Sequence, residues 1–521
     1  MIHTSGRTRR MLGVVAALAA ASFALSGCLS SQIPAEQPRS TASAAPVTDG
    51  VSADLLPFYS QTLSWGPCEP AASQMECTTL TAPLDWDNPG EGEIELAMVR
   101  SRAESGTAIG SLLTNPGGPG ASGVGYIRDS VTHAAGDAVR AQFDVIGFDP
   151  RGVGDSTAVE CFTDAADMDA YLFDIPDNPR GSDAWSDELL EGAAEFAAAC
   201  EENSGGILPY ITTEQSARDM DLIRAVLGDN ELYYLGYSYG TFLGATYAKL
   251  YPENVGRMVL DAAIDPSVSG LDVGTTQGLG FESALRAYMA DCLGSDECPF
   301  RGSVDQGMAD LGTLLASVDR TPQQAPDGRM LGADSLLTAI VAALYSQESW
   351  GYLTAALTDV MQGDPALAFS LADFYYNRSD GEYLDNQTEA FTAYNCLDYP
   401  DDSTPEQEAA AEELLAAEAP TVAPYWSGPD GCSVWPYEPS GVRERITAEG
   451  AAPIVVVGTT NDPATPYEWS VSLAEQLSSG VLVTRVGEGH SGYNKGNSCV
   501  DDAVEAYLLE GAAPEDGLRC E

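Results

Sequence analysis

Leu232-Tyr233-Tyr234-Leu235-Gly236-Tyr237-Ser238-Tyr239-Gly240-Thr241-Phe242-Leu243-Gly244-Ala245-Thr246-Tyr247-Ala248 is the stretch on which the fold turns. Leu232 to Leu235 are apolar and aromatic and read as a buried strand, whereas Thr241 to Ala248 read as a helix. Between them, Gly236 to Gly240 match G-x-S-x-G, a sharp strand-to-helix turn that thrusts a serine hydroxyl above a sheet. Small flanking residues let the chain turn without clashes. Five residues alone are a weak match; the strand before and the helix after supply the context.

Outward from this turn the chain alternates. Ile94 to Val99, Ser111 to Asn115, Asp144 to Phe148, Met258 to Leu260, Ile454 to Val457 and Val481 to Val486 are strand-like. Several are unbroken apolar runs, as expected of strands covered on both faces of a parallel sheet. Helical stretches such as Gln215 to Leu227 lie between them, which argues for the α/β class. The alternation breaks between Pro266 and Gly450, where Ala- and Leu-rich segments such as Asp334 to Tyr345 and Pro405 to Ala419 predict helices. The expected organisation is therefore a core in two parts, residues 54–265 and 450–521, with a helical cap at 266–449. A chain of 521 residues is long enough for both.

A serine nucleophile needs a base, and histidine suits that role near neutral pH. The chain has three histidines. His3 lies in the leader, and His133 precedes the serine, whereas the order in α/β-hydrolases is Ser, then Asp or Glu, then His. His490, in Gly487-Glu488-Gly489-His490-Ser491-Gly492, follows a strand and is the candidate base. Asp462, in Asn461-Asp462-Pro463 after the strand at Ile454, is the candidate for orienting the imidazole. An oxyanion needs backbone donors. The amide of Tyr239 is one, and Gly117 or Gly118 of Asn115-Pro116-Gly117-Gly118-Pro119-Gly120 would supply the other. That glycine loop lacks the Lys-Ser/Thr ending of a phosphate-binding loop. No C-x-x-C spacing suggests a metal, and the chemistry needs no cofactor.

Arg7, Arg9 and Arg10 followed by apolar Met11 to Ala24 make a signal peptide, residues 1–27, too short to span a bilayer comfortably. Leu25-Ser26-Gly27-Cys28 resembles a lipobox, so Cys28 is expected to be lipidated, with residues 28–53 as a Ser/Ala/Pro/Thr-rich tether. The expected location is the outer face of the cell membrane, with possible release. Setting Cys28 aside leaves ten of the eleven cysteines, an even number suited to an oxidising compartment. Neighbours in sequence suggest Cys68–Cys77, Cys161–Cys200, Cys292–Cys298, Cys396–Cys432 and Cys499–Cys520. With 78 acidic against 24 basic residues the formal charge is −54, which disfavours nucleic acid and anionic surfaces as partners. Solubility outside the cell or tolerance of salt accounts for it more simply than attraction of cationic substrates.

Taken together, Asn115 to Gly120, Asp149-Pro150-Arg151-Gly152-Val153-Gly154-Asp155-Ser156, Gly236 to Thr241, Arg257-Met258-Val259-Leu260-Asp261 and the Asp462 and His490 loops resemble the proline iminopeptidase and tripeptidyl aminopeptidase family. The resemblance is nearest to the secreted bacterial tripeptidyl aminopeptidases. It implies an α/β-hydrolase fold with a mostly parallel central sheet and an inserted, mainly helical cap. The implied activity is a serine peptidase releasing short peptides, tripeptides above all, from a free N-terminus. Peptides with a free N-terminus are then the partners, and the cap would supply acids for the substrate ammonium; Glu282 and Asp398 are the candidates. Proline iminopeptidases carry a histidine before the glycines where this chain has Asn115-Pro116, which favours the tripeptidyl branch. A carboxylesterase or lipase with the same triad, or a binding protein on a decayed scaffold, are the alternatives.

Overall fold

The computed structural model describes residues 45–68, 75–400 and 403–521; the expected leader, Cys28 and the tether as far as residue 44 lie outside them. Ten strands make one sheet: β1 (Gly66–Pro67), β2 (Glu76–Pro83), β3 (Glu93–Ser101), β4 (Ser111–Asn115), β5 (Asp144–Phe148), β6 (Leu232–Tyr237), β7 (Val255–Asp261), β8 (Ile454–Asn461), β9 (Gly480–Glu488) and β10 (Leu518–Cys520). Their spatial order is β1-β2-β3-β5-β4-β6-β7-β8-β9-β10. From β5 to β10 every pairing is parallel, while β1, β2 and β3 join antiparallel. The chain passes from β4 outward to β5 and later returns to the other side of β4 with β6. That reversal opens a crevice beyond the carboxyl ends of β4 and β6, the usual place for a ligand in such sheets.

Period-two alternation explains why the central strands are apolar throughout. Tyr234, Met258, Leu260, Ile454 and Val456 face one core, while Leu235, Val259, Val455 and Val457 face the other. Helix α1 (Gly123–Ala134) follows β4, and α2 (Ala165–Phe173) and α3 (Asp183–Asn203) follow β5. Next come α4 (Thr213–Leu227), leading into β6, and α5 (Tyr239–Leu250), leaving it. Helix α4 begins where the Thr212 side chain accepts the Gln215 amide and ends at Gly228 in the left-handed region. Such an N-cap contributes about 1 kcal/mol.

Strands β7 and β8 are neighbours in the sheet, yet nearly two hundred residues separate them in sequence. That insertion holds α6 (Gly270–Cys292), α7 (Val304–Arg320), α8 (Ala333–Leu344), α9 (Trp350–Met361), α10 (Ala366–Tyr375), α11 (Gln387–Asp398) and α12 (Pro405–Glu418), with two hairpins of two-residue strands. Leu285, Leu311, Leu336, Leu353 and Phe369 form its own core. Phe173 of α2 is buried in the same core, and Asp169 pairs with Arg378 at 2.7 Å. Met168 of the same helix is buried in the sheet-side core and Tyr171 stacks on Phe196 of α3, so α2 bridges the sheet domain and the cap. The chain closes with α13 (Tyr467–Gln476), packed on β8, and α14 (Ser498–Glu510), packed on β7.

All five expected cysteine pairs are disulfides. Disulfides in this number belong to an oxidising, extracytoplasmic compartment. Among the described residues no helix is long and apolar enough to cross a membrane.

Candidate active site

Ser238 stands between β6 and α5 with φ +54° and ψ −124°, a backbone region that L residues avoid and that marks active-site turns. A Cβ on Gly236 would collide with the Gly240 carbonyl, and one on Gly240 would come within 2.8 Å of the Asn115 carbonyl oxygen. Close approach therefore demands both glycines of the motif. The Ser238 amide donates to the Asp261 carbonyl at 2.9 Å, tying the turn to the end of β7.

Asp462 lies just beyond β8 and is buried. Its carboxylate accepts the amides of Ala464 and Thr465 at 3.0 Å and of Ser491 at 3.2 Å. It also lies 2.8 and 2.9 Å from His490 Nδ1. An Nδ1 facing that acceptor carries the proton, which leaves the lone pair on Nε2. Nε2 is buried and has no hydrogen-bond partner among the described residues. The cap helps to hold His490. Tyr345, at the end of α8, accepts the His490 amide at 2.9 Å, and its ring meets the imidazole edge-on with centroids 5.2 Å apart. His133 is exposed in the last turn of α1.

One further residue ties the Ser238 turn to the His490 loop. The Asp261 carboxylate accepts the Gly492 amide at 2.8 Å and the Tyr493 amide at 2.8 Å, while its own carbonyl takes the Ser238 amide. Burial pushes its pKa up to about 6. In the sequence it is only the acid ending an apolar strand, and nothing local reveals that the histidine loop folds onto it.

Beyond β4 the loop lies against the serine. A Cβ on Gly117, at φ +106°, would be 2.8 Å from Ser238 Cβ and 3.3 Å from the Tyr239 nitrogen. Gly117 donates its own amide to Asn115 Oδ1 at 3.0 Å. The amides of Gly118 and Tyr239 have no acceptor among the described residues, Tyr239 because it opens α5. Two free donors and a strained serine thus converge where β4 and β6 end.

The two cap acids singled out in the sequence are engaged elsewhere. Glu282 accepts from the Thr421 amide and hydroxyl and the Val422 amide at 3.0–3.1 Å, a clasp within the cap. Asp398 accepts from the Thr213 amide at 3.0 Å and hydroxyl at 2.6 Å. A third acid, Glu389, is placed differently. It sits in the first turn of α11, which is pressed onto the glycine loop: a Cβ on Gly120 would come within 2.6 Å of the Gln387 carbonyl oxygen and 3.1 Å of Ala390 Cβ. Glu389 is buried and has no Lys or Arg partner among the described residues. Burial, with a contribution from the charge of Asp385, pushes its pKa up to about 7 against the opposing effect of its own amide. An acid in the first turn of a helix reads as an ordinary dipole match, so sequence alone passes over it.

Residues 419–520 match a family model described as TAP-like protein, and this segment contains both Asp462 and His490. The chain is 35% identical over 544 residues to serine protease Hip1 of Mycobacterium tuberculosis, covering 98% of both chains. It is 38% identical to carboxylesterase B of the same species, covering 89% of this chain and 91% of that one. Tripeptidyl aminopeptidase of Streptomyces coelicolor is 30% identical across 86% of this chain and 83% of its own.

The chain belongs to the TAP-like family of α/β-hydrolases.

As a TAP-like enzyme it is a serine hydrolase. The matched C-terminal segment of this TAP-like hydrolase carries Asp462 and His490, and the Ser238 turn lies far upstream, after β6. Only the parallel pairing of β6, β7, β8 and β9 brings their carboxyl ends, and so these three residues, to one edge of the sheet.

Proposed function

We propose that this hydrolase releases short peptides, tripeptides above all, from the free N-terminus of peptide substrates by way of a Ser238 acyl-enzyme. The observation that carries the reading is the His490 Nδ1–Asp462 bond at 2.8 Å, with Nε2 buried and unpartnered among the described residues. His490 takes the proton from Ser238 Oγ as it attacks the peptide carbonyl. The oxyanion is received by the amides of Tyr239 and Gly118. His490 then gives its proton to the departing amine, and water returns along the same path to free the acyl group.

The same reading assigns the substrate ammonium to Glu389. Glu282 and Asp398 are engaged by internal donors, whereas Glu389, in the helical turn that backs the glycine loop, has no cationic partner among the described residues. Similarity to enzymes named serine protease and tripeptidyl aminopeptidase supports peptide substrates. Lipidation of Cys28, holding the enzyme on the outer face of the membrane, completes the proposal. Similarity to carboxylesterase B supports the alternative of ester substrates.

The experiment pairs a tripeptidyl fluorogenic amide bearing a free amine with its N-acetylated twin. Fast cleavage of the free form alone is expected, with a loss on the order of 10⁶ in Ser238→Ala if the triad acts as a unit. Equal cleavage of both forms would remove ammonium recognition. Cleavage of short acyl esters with neither amide touched would establish the esterase instead.

A further inference from the structure

The reaction uses the backbone of Tyr239 and leaves its side chain without a task. That side chain is nonetheless buried, and its hydroxyl lies 2.6 Å from Thr213 Oγ1. Thr213 Oγ1 in turn donates to Asp398 Oδ2 at 2.6 Å. A threonine hydroxyl has one proton; given to the Asp398 carboxylate, it leaves Thr213 to accept from Tyr239. The bonds therefore run in one direction, Tyr239 to Thr213 to Asp398.

Asp398 is the last residue of α11, the helix whose first turn presses on Gly120. Twelve residues of helix span about 18 Å at 1.5 Å per residue. One cap helix thus reaches both sides of the oxyanion site. Its start backs the loop that carries Gly118, and its end holds the residue that follows the nucleophile. The helix is itself fixed at both ends. Asn386 bonds the Gly152 and Val159 carbonyls and the Gly154 amide, each at 2.8 Å, and Cys396 is disulfide-bonded to Cys432.

We propose that Asp398 is a positioning residue: through Thr213 it fixes the Tyr239 side chain, and with it the direction of the Tyr239 amide at the oxyanion, so that a cap helix sets the geometry of the transition state. The proposal rests on the reading of that amide as an oxyanion donor. The competing account is that Asp398 only favours the N-terminus of α4, where Thr213 is the first residue. The two differ in what happens when the far end of the chain of bonds is cut.

Tyr239→Phe keeps the ring and the amide and removes only the hydroxyl. Thr213→Val cuts the middle link, Thr213→Ser restores it, and Asp398→Asn removes the charge at its end. For each, kcat and KM on the free-amine tripeptidyl amide are measured with the affinity for a tripeptide aldehyde, whose hemiacetal places an oxyanion in the site. Affinity for the product tripeptide and Tm complete the set. Tyr239→Phe and Thr213→Val should each lower kcat and aldehyde affinity by about ten-fold, short of the 10²–10³ seen when an oxyanion donor is lost outright. KM and product affinity should stay within two-fold of wild type, Thr213→Ser should recover most of the loss, and the double variant should be no worse than either single one. Wild-type kcat and aldehyde affinity in Tyr239→Phe would overturn the proposal, as would losses that follow Tm without selectivity for the aldehyde. If Ser238→Ala still turns over, the functional reading itself fails; serine-dependent turnover with an unaffected Tyr239→Phe removes only the positioning role.

Discussion

A carboxylate kept in a site for a cation has to be held there before the cation arrives. For Glu389, which we propose meets the substrate ammonium, that holding has a cost, since burial raises its pKa from 4.5 to about 7. A carboxyl group whose pKa is higher in the folded chain contributes stability that is complete below its unfolded pKa and lost as the pH rises through the folded one. Glu389→Gln should therefore raise Tm at pH 8 relative to wild type, and the two melting curves should converge near pH 4. The same variant should raise KM for free-amine tripeptidyl substrates by ten- to a hundred-fold, since hydrogen bonds to charged groups contribute about 1.5–3 kcal/mol. A gain in stability at pH 8 without any change in KM would separate burial from recognition. Asp261 works by a different route, holding the Gly492 and Tyr493 amides. Asp261→Asn keeps an acceptor oxygen but not the charge, so a fall in kcat with KM unchanged is expected, measured on the same substrate.

At the scale of elements, α11 holds both Glu389 and Asp398, and it is pinned by Cys396–Cys432. Replacing both cysteines by serine should lower stability by about 3–4 kcal/mol for a loop of this length. It should also depress kcat/KM more than removal of Cys292–Cys298, which closes a short loop at the end of α6; equal effects would show that α11 does not need its clamp. Legibility in the sequence divides along the same lines. The parallel strands β4 to β8 are largely apolar because both faces are covered, so they stand out as runs, and their order points to the positions of Ser238, Asp462 and His490. Strand β2, Glu76–Pro83, escapes notice because it lies toward the edge of the sheet, where threonines alternate with buried residues and no run forms. Strand β10 is three residues long. Helix α2 reads as part of the sheet domain alone because its contact with the cap hairpin joins Asp169 to Arg378, residues remote in sequence. Nothing local in the sequence separates Glu282 and Asp398 from the other cap acids, because the internal donors that engage them, Thr421, Val422 and Thr213, are remote in sequence.

For the whole molecule the dominant quantity is charge. A formal −54 over 521 residues makes the folded body repel itself, and the positive groups at hand are mostly arginines already paired with acids. Salt screens that repulsion over about 10 Å at 0.1 M. Tm should rise as sodium chloride goes from about 10 mM to 0.5 M, whereas most proteins stabilised by surface ion pairs would lose stability. Over the same range kcat/KM for a tripeptidyl substrate containing lysine should fall more steeply than for an uncharged one, because the field that destabilises the fold also draws in cations. Parallel salt profiles for the two substrates would mean that the charge serves solubility alone.

The five disulfides join each cysteine of the folded body to its immediate neighbour along the chain, first to second, third to fourth and so on. A polypeptide exported N-terminus first presents its thiols in that same order. Each cysteine that emerges second finds its proper partner already outside and, whenever the previous pair has closed, no rival thiol beside it. Oxidation in step with translocation then leads to the native set by order of arrival, and a disulfide isomerase, needed where bridges cross or skip over one another, has little to correct.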